Sequence, residues 1–417
     1  PTLNDFWGGT LRGVIEKLPY IQTLGVNCLW LSPVFPSPSH HGYDATDFFR
    51  VEPRLGTDED LREMIGASHN MGMRVLLDFV PNHVSNEHTA FRTAVTDPAA
   101  PERGWFTFGA WPDEYRSFFG VKTLPQLDNE HLPARRYVID AARHLLAAGA
   151  DGFRLDYANG PSHGFWTQFR AETRALKPDS FTVGEIVETA ELQRSYHGRL
   201  DGVLDFLLLQ HMRAFFAFDT IGAPAFDSFL QRHLAYFPDE FVLPSFLDNH
   251  DMNRFLWIVR GDVRRLKLAA LCQFTLPYPP IIYYGTEVGL SQWHDLEYPD
   301  GSRRMEESRT PMLWGADQDS DLLRFYAGLV ALRRKHAALC RGQRSTLVAN
   351  DAGVYVVALG EGSSQAVVAP NRSGAPCTIA LPSAGLELVL DTSGASGLTD
   401  DNLRLPPMSG ALLVSGS

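Results

Sequence analysis

Apolar residues recur along this chain in two alternating rhythms. Short runs such as Val26–Leu31, Arg74–Val80, Asp151–Leu155 and Phe181–Val183 are almost continuously apolar, the pattern of strands buried on both faces. Between them, over Asp58–Met71, Ala134–Ala148 and His163–Leu176, apolar positions fall three and four apart, the pattern of helices with one buried face. The rhythm continues through strand Gly202–Leu204 and a helix beyond it, strand Phe241–Leu247 with helix Val263–Phe274, and strand Pro280–Tyr284 with helix Asp321–His336. A short run at Tyr43–Phe48 brings the strands to about eight. Strands and helices in this order predict an α/β fold with a parallel sheet, and eight such units predict a (β/α)8 TIM barrel, with functional residues at the C-terminal ends of the strands.

Two stretches break the rhythm. Residues 84–127, after the third predicted strand, are rich in proline, charge and aromatics (Trp105, Phe106, Phe108, Trp111, Tyr115, Phe118, Phe119). They read as a small inserted domain whose aromatics either form its own core or wall a cleft. From 341 to 417, short alternating strands such as Val354–Leu359 and Ala366–Ala369 are separated by Gly, Ser and Pro turns, which predicts a C-terminal antiparallel β-sandwich domain. The catalytic barrel is then 1–83 together with 128–340.

Composition narrows the function. A net charge of -12 argues against nucleic-acid or anionic-membrane partners, and no apolar run is long enough to span a membrane. The cysteines, Cys28, Cys272, Cys340 and Cys377, match neither a zinc spacing nor a disulfide framework and read as buried free thiols. Such sparse cysteines lean toward the cytoplasm, while the start at Pro1 leaves room for a leader removed before this numbering. His83 and His88 lack the spacing of a zinc motif.

Three of the apolar runs end in carboxylates: Gly152-Phe153-Arg154-Leu155-Asp156, Thr182-Val183-Gly184-Glu185, and Ser245-Phe246-Leu247-Asp248-Asn249-His250-Asp251. Unpaired polar groups are costly to bury, so three such ends point to one site. Glycoside cleavage uses such a set: one carboxylate attacks the anomeric carbon, a second protonates the leaving oxygen, and further negative charge stabilises an oxocarbenium-like transition state. Glu185 stands among Val183, Gly184 and Ile186, where desolvation would favour its protonated form, while Arg154 stands two residues from Asp156 on the same strand face and would keep it ionised. The plainer readings are a structural Arg154–Asp156 ion pair and an Asp251 that caps the following helix.

Leu77–His83, Gly152–Asp156, Gly184-Glu185 and Phe246–Asp251, in that order, resemble the four signature regions of the α-amylase family of retaining glycosidases. The likeness extends from Gly8–Val14 through His41–Asp44 to Ile282–Glu287, and Leu124–Asp128 with Asp156–Asn159 is most similar to the neopullulanase, cyclomaltodextrinase and maltogenic amylase branch. The resemblance implies Asp156 as nucleophile, Glu185 as general acid and base, and Asp251 as the third carboxylate. It also implies substrate contacts from Tyr43, Asp78, His83, Arg154, His250, Asn159 and Val187. Many relatives carry Lys-His three and four residues after the nucleophile, the His carbonyl binding a structural calcium. Here those positions are Asn159 and Gly160, so although Asn82 matches a calcium ligand, no cofactor is expected to be required. The branch usually places Glu at position 160 and Trp at 187, and an N-terminal β domain used in dimerisation before the barrel. A monomer with an open cleft, acting on α-1,4-glucans such as malto-oligosaccharides, starch or cyclodextrins, is expected. The alternatives are a glucan transferase on the same scaffold and a catalytically silent binding barrel.

Overall fold

A computed structural model describes residues 5–399 and 402–416. The chain divides into two compact units, Pro1–Leu204 with Glu240–Val242, and Asp205–Asp239 with Leu243–Ser417.

The first unit is built on five parallel strands in sequential order: β1 (Cys28–Leu31), β2 (Arg74–Phe79), β3 (Gly152–Leu155), β4 (Phe181–Gly184) and β5 (Gly202–Val203). Helices α1 (Leu11–Leu24), α2 (Asp58–Asn70), α4 (Leu132–Ala147), α5 (His163–Leu176) and α6 (Ala190–Ser195) accompany them, with α3 (Thr89–Thr96) in the insert. A reciprocal capping box between Thr57 and Asp60 starts α2, and Gly25 in the left-handed region ends α1. β3 is buried at every position, with Phe153 packed between Phe79 and Phe169. Its first residue must be glycine: a Cβ at Gly152 would fall 1.9 Å from the Phe181 carbonyl oxygen. Asp151, just before it, accepts from the Val75 N–H and from Arg74, His69 and Lys177, pinning the start of the strand.

Tyr43–Phe48, expected as a strand, is turn and bend. Its apolar residues Ala45 and Phe48 are buried, but Asp44 and Thr46 turn back to bond Ser37, Ser39 and Pro36. An alternation of apolar and polar residues thus came from burial without a ladder. The insert follows β2, the element counted third in the sequence. It is held by paired bridges, His83 with Gln126, Phe106 with Leu127, Phe108 with Tyr115 and Ser117 with Pro125.

In the second unit, α7 (Phe206–Phe216), α8 (Ala223–Tyr236), α9 (Phe255–Ile258), α10 (Val263–Gln273), α11 (Ser320–Lys335) and α12 (Ala338–Arg341) precede the antiparallel strands. Two expected strands are reduced here. Phe241–Leu247 holds only isolated bridges, Val242 with Gly202 inside the first unit and Ser245 with Pro280 inside the second, and Pro280–Tyr284 is otherwise irregular. The prolines at 244, 279 and 280 lack the N–H a ladder needs. Eight further strands follow: β6 (Arg344–Ala349), β7 (Tyr355–Leu359), β8 (Ala366–Asn371), β9 (Cys377–Ala380), β10 (Leu386–Asp391), β11 (Gly397–Leu398), β12 (Asn402–Leu405) and β13 (Ser409–Ser415). They form a five-stranded sheet in the order β10-β13-β8-β7-β6 and a three-stranded one in the order β11-β12-β9, enclosing a core that includes Val356, Val367, Leu403 and Leu413. All four cysteines are free, but only Cys272 is buried; Cys28 is exposed, which corrects the expectation of four buried thiols. Among the described residues no helix is long and apolar enough to cross a membrane.

Candidate active site

The carboxylates of the first unit gather on one cation. Arg154 is fully buried, projecting from β3. Its Nη1 donates to both oxygens of Asp78, at 2.9 and 3.1 Å, and to Asp156 Oδ1 at 2.8 Å, while Nη2 lies 3.0 Å from Glu185 Oε2. Parallel register explains the meeting. Asp78 on β2 is the partner of Arg154, Asp156 lies two residues on along the same face, and Glu185 follows the last residue of the neighbouring β4. Asp78 also accepts from Tyr43 Oη at 2.8 Å and Trp30 Nε1 at 3.2 Å. Burial pushes the Asp78 carboxyl above the usual carboxylate range, and the nearby Asp156 adds to this, while Arg154 pulls the other way. Burial works against the Arg154 charge too, but Asp78, Glu185, Tyr43 and Asp156 together hold it firmly protonated.

Glu185 is not surrounded only by its apolar sequence neighbours, as expected. Its Oε2 accepts the Tyr157 N–H at 3.1 Å and faces Arg154. Side chains alternate along a strand, so sequence neighbours are poor guides to what a carboxylate touches. Tyr157 holds that N–H in place from the left-handed region, at φ 42, a conformation rare for a bulky residue.

His83 is buried and stacked on Phe118, with ring centroids 4.5 Å apart. Its Nδ1 accepts from Asn82 Nδ2 at 3.2 Å, which leaves the proton on Nε2. Burial lowers the pKa of His83 to about 4, against weaker opposing effects of the Tyr43 backbone and Asp44, so the ring is neutral. His41 orients Tyr43 by accepting its N–H at 3.0 Å. Asn159 is half-buried in the turn after Asp156, and Val187 is exposed.

Asp251 and His250 belong to the second unit. Asp251 Oδ1 accepts from Arg309 Nη2 at 2.9 Å, Oδ2 lies 3.1 Å from His250 Nε2, and the Asp251 N–H donates to Asn249 Oδ1. Capping belongs to Asp248 instead, which accepts the Phe255 N–H at the start of α9. Arg254, fully buried, donates to the Ser308 and Tyr284 carbonyls and lies 4.3 Å above the Tyr283 ring, while Arg309 Nε donates to the His250 carbonyl and holds the backbone that carries Asp251.

Gly160 has a different role from the one expected. A Cβ there would fall 2.1 Å from Asn82 Oδ1 and 2.9 Å from the Tyr157 ring, so position 160 is closed by packing and cannot take a Glu unless Asn82 moves. Gly160→Ala is expected to cost about 1–3 kcal/mol in denaturant unfolding; unchanged stability would mean that Asn82 swings aside freely.

The Asn82 oxygen also decides whether a calcium fits. It accepts from Gln126 Nε2 at 2.9 Å, so an amide donor occupies the approach that a cation would need. Calcium wants six to eight oxygen ligands. Among the described residues no group of three or more His, Cys, Asp or Glu is arranged to hold a metal ion. As hydrogen-bonded here, Asn82 and Gln126 satisfy each other and do not present a calcium cage.

Sequence reading missed Trp30, Tyr157 and Gln126. Trp30 was readable only as part of an apolar strand, and Tyr157 and Gln126 act through backbone geometry and an amide pair that have no motif.

Comparison with known proteins follows the same outline. The family described as "Alpha amylase, catalytic domain" matches residues 2–322. Alpha-amylase 2 of Dictyoglomus thermophilum is 40% identical over 343 residues, 82% of this chain and 60% of that protein. Neopullulanase 2 of Thermoactinomyces vulgaris is 33% identical, covering 100% of this chain and 72% of that one. The chain thus spans about three fifths of the length of the first of these relatives. Among solved structures, a cyclomaltodextrinase superposes with a TM-score of 0.88 at 30% identity, over 99% of this chain and 72% of its own. A cyclic alpha-maltosyl-(1→6)-maltose hydrolase from Arthrobacter globiformis gives 0.86 at 28%, over 99% and 91%. The fold class is accordingly a (β/α)8 barrel with an insert and a C-terminal antiparallel β domain.

Proposed function

Because this chain belongs to the alpha-amylase family, we propose that it is a retaining glycoside hydrolase cleaving α-1,4-glucosidic bonds in malto-oligosaccharides, starch or cyclodextrins. The observation that carries the reading is the single buried guanidinium of Arg154 touching both Asp156 and Glu185. A retaining enzyme needs its two carboxyl groups about 5–5.5 Å apart, and one planar guanidinium with Nη1 on Asp156 and Nη2 beside Glu185 is a spacer of about that size. In this reading Asp156 attacks the anomeric carbon while Glu185 gives its proton to the leaving oxygen. Arg154 keeps the nucleophile ionised and aimed. Glu185 then takes a proton from the water that resolves the glycosyl-enzyme. By the family resemblance Tyr43 touches the sugar and Asp251 with His250, in the second unit, supplies the third carboxylate; Asp78, fully buried against Arg154, Tyr43 and Trp30, acts through them, beside neutral His83. Neutrality suits His83, because a second cation beside Arg154 would oppose an oxocarbenium-like charge.

The substrate class follows the names of the relatives, and the chain is taken as a monomer with barrel segments 1–83 and 128–340, an insert at 84–127 and a β domain from 341. Product analysis on maltoheptaose, β-cyclodextrin, pullulan and soluble starch tests the reading. Glucose and maltose from the first two are expected. Inertness on all four would overturn it, and dominant chain-lengthened products would favour the transferase alternative.

No metal is required in this reading. Chelator treatment is expected to leave turnover and melting temperature where they were. Loss of both, restored by calcium, would defeat this expectation.

A further inference from the structure

Phe119 carries two features that folding alone does not account for. The residue is 78% exposed, and its backbone sits in the left-handed region at φ 48 and ψ 29. A bulky residue there is strained, and strain of this kind persists where the surroundings impose it or function uses it. An exposed apolar ring gains little by burial to offset it. Gly120, the next residue, is also left-handed, so the chain makes a tight corner that thrusts the ring outward.

The ring is presented toward the candidate site. Phe119 lies edge-on to Tyr157 at 5.4 Å and to Phe118 at 4.5 Å; Phe118 in turn meets Tyr157 at 4.8 Å and stacks on His83. These aromatics form one continuous wall from the buried His83 outward to the exposed Phe119. Tyr157 follows Asp156 in the chain, and its N–H is bound to Glu185. Glu185, as the proton donor, must stand on the side from which the leaving sugar departs, so a wall fastened to Tyr157 borders that side.

We propose that Phe119 is the stacking surface for a glucose unit on the leaving-group side of the scissile bond, a specificity residue for longer α-glucans. The proposal rests on the retaining-glycosidase reading above. A pyranose ring has an apolar C–H face, and an exposed aromatic ring buries that face without needing a hydrogen-bond partner. Position 160 has no side chain, and Val187 offers only a small exposed one. The ring from the insert supplies the flat surface those positions lack.

The test compares two substrates. Maltoheptaose places sugars on both sides of the bond; α-maltosyl fluoride departs as fluoride and leaves that side empty. In Phe119→Asn, which suits the left-handed backbone better than phenylalanine, kcat/KM on maltoheptaose is expected to fall about tenfold, chiefly through KM, the scale of one lost apolar contact in a binding pocket. Turnover of α-maltosyl fluoride should be unchanged, and the melting temperature equal or higher. Phe119→Tyr should restore maltoheptaose turnover. An equal loss on both substrates, a lowered melting temperature that explains the loss, or no effect on maltoheptaose would each overturn the proposal. A parent protein that turns over neither substrate overturns the glycosidase reading itself, and this proposal with it.

Discussion

Asp156→Asn and Glu185→Gln each lower kcat by about four orders of magnitude or more, the scale of removing a nucleophile or a general acid, while the protein remains folded. Folding survives because both changes keep shape and acceptor oxygens: the amide oxygen at 185 still receives the Tyr157 N–H and that at 156 still receives Arg154 Nη1. Chemistry does not survive. An amide at 156 is too weak a nucleophile, and one at 185 has no proton to give. The two variants should separate on α-maltosyl fluoride, whose leaving group needs little acid help: Glu185→Gln then forms the glycosyl-enzyme and stalls, whereas Asp156→Asn does not form it. Trapping by mass spectrometry distinguishes them. In the parent enzyme the first product is the α-anomer, read by NMR, and a β-anomer would show inversion and refute the assignment of Asp156 as nucleophile.

Replacing Arg154 by Met has the second-largest effect, on stability and activity together. Three carboxylates share this one buried cation. Without it, Asp78 and Asp156 face each other unneutralised, and breaking a buried pair in this way costs about 3–5 kcal/mol. The loss should depend on pH with a definite sign. Asp78 already sits above the usual carboxylate range because of its burial, and removing Arg154 raises it further. A carboxyl whose folded pKa exceeds its unfolded one stabilises the fold fully below the unfolded value and loses that contribution as pH rises through the folded one. Arg154→Met should therefore be closest to the parent in mild acid and fall away from it toward pH 8. Urea melts across that range measure this; a deficit independent of pH would place the damage in packing instead.

Legibility differed between the two units for a physical reason. In the first, β2, β3 and β4 are buried and nearly continuously apolar, and their parallel register brings Asp78, Arg154, Asp156 and Glu185 together as strand ends should. Periodicity and sequence order sufficed for these strands, though not for Tyr43–Phe48 in the same unit. In the second, prolines reduce Phe241–Leu247 and Pro280–Tyr284 to isolated bridges, and Asp251 is positioned by Arg309 and His250 rather than by a strand. Arg309 is remote in sequence and carries no motif, so only the structure could supply it. Gly160 misled for a related reason. A missing side chain reads as empty space in a sequence, whereas here the space is filled by Asn82.

Asn82, Gln126 and Gly160 together have an evolutionary consequence. A cation-binding arrangement at this spot would need the Gln126 amide released from Asn82, so that both side-chain oxygens face the ion, and a rebuilt backbone around position 160. Changing Gln126 alone removes the hydrogen bond to a buried carbonyl oxygen, which costs about 1–3 kcal/mol, and adding a side chain at 160 alone drives it into that same oxygen. Each single step costs stability before any metal can repay it. The three positions form a ratchet, so descendants of this chain should retain or lose them as a set, and a laboratory search for calcium dependence would have to begin from variants changed at 126 and 160 together.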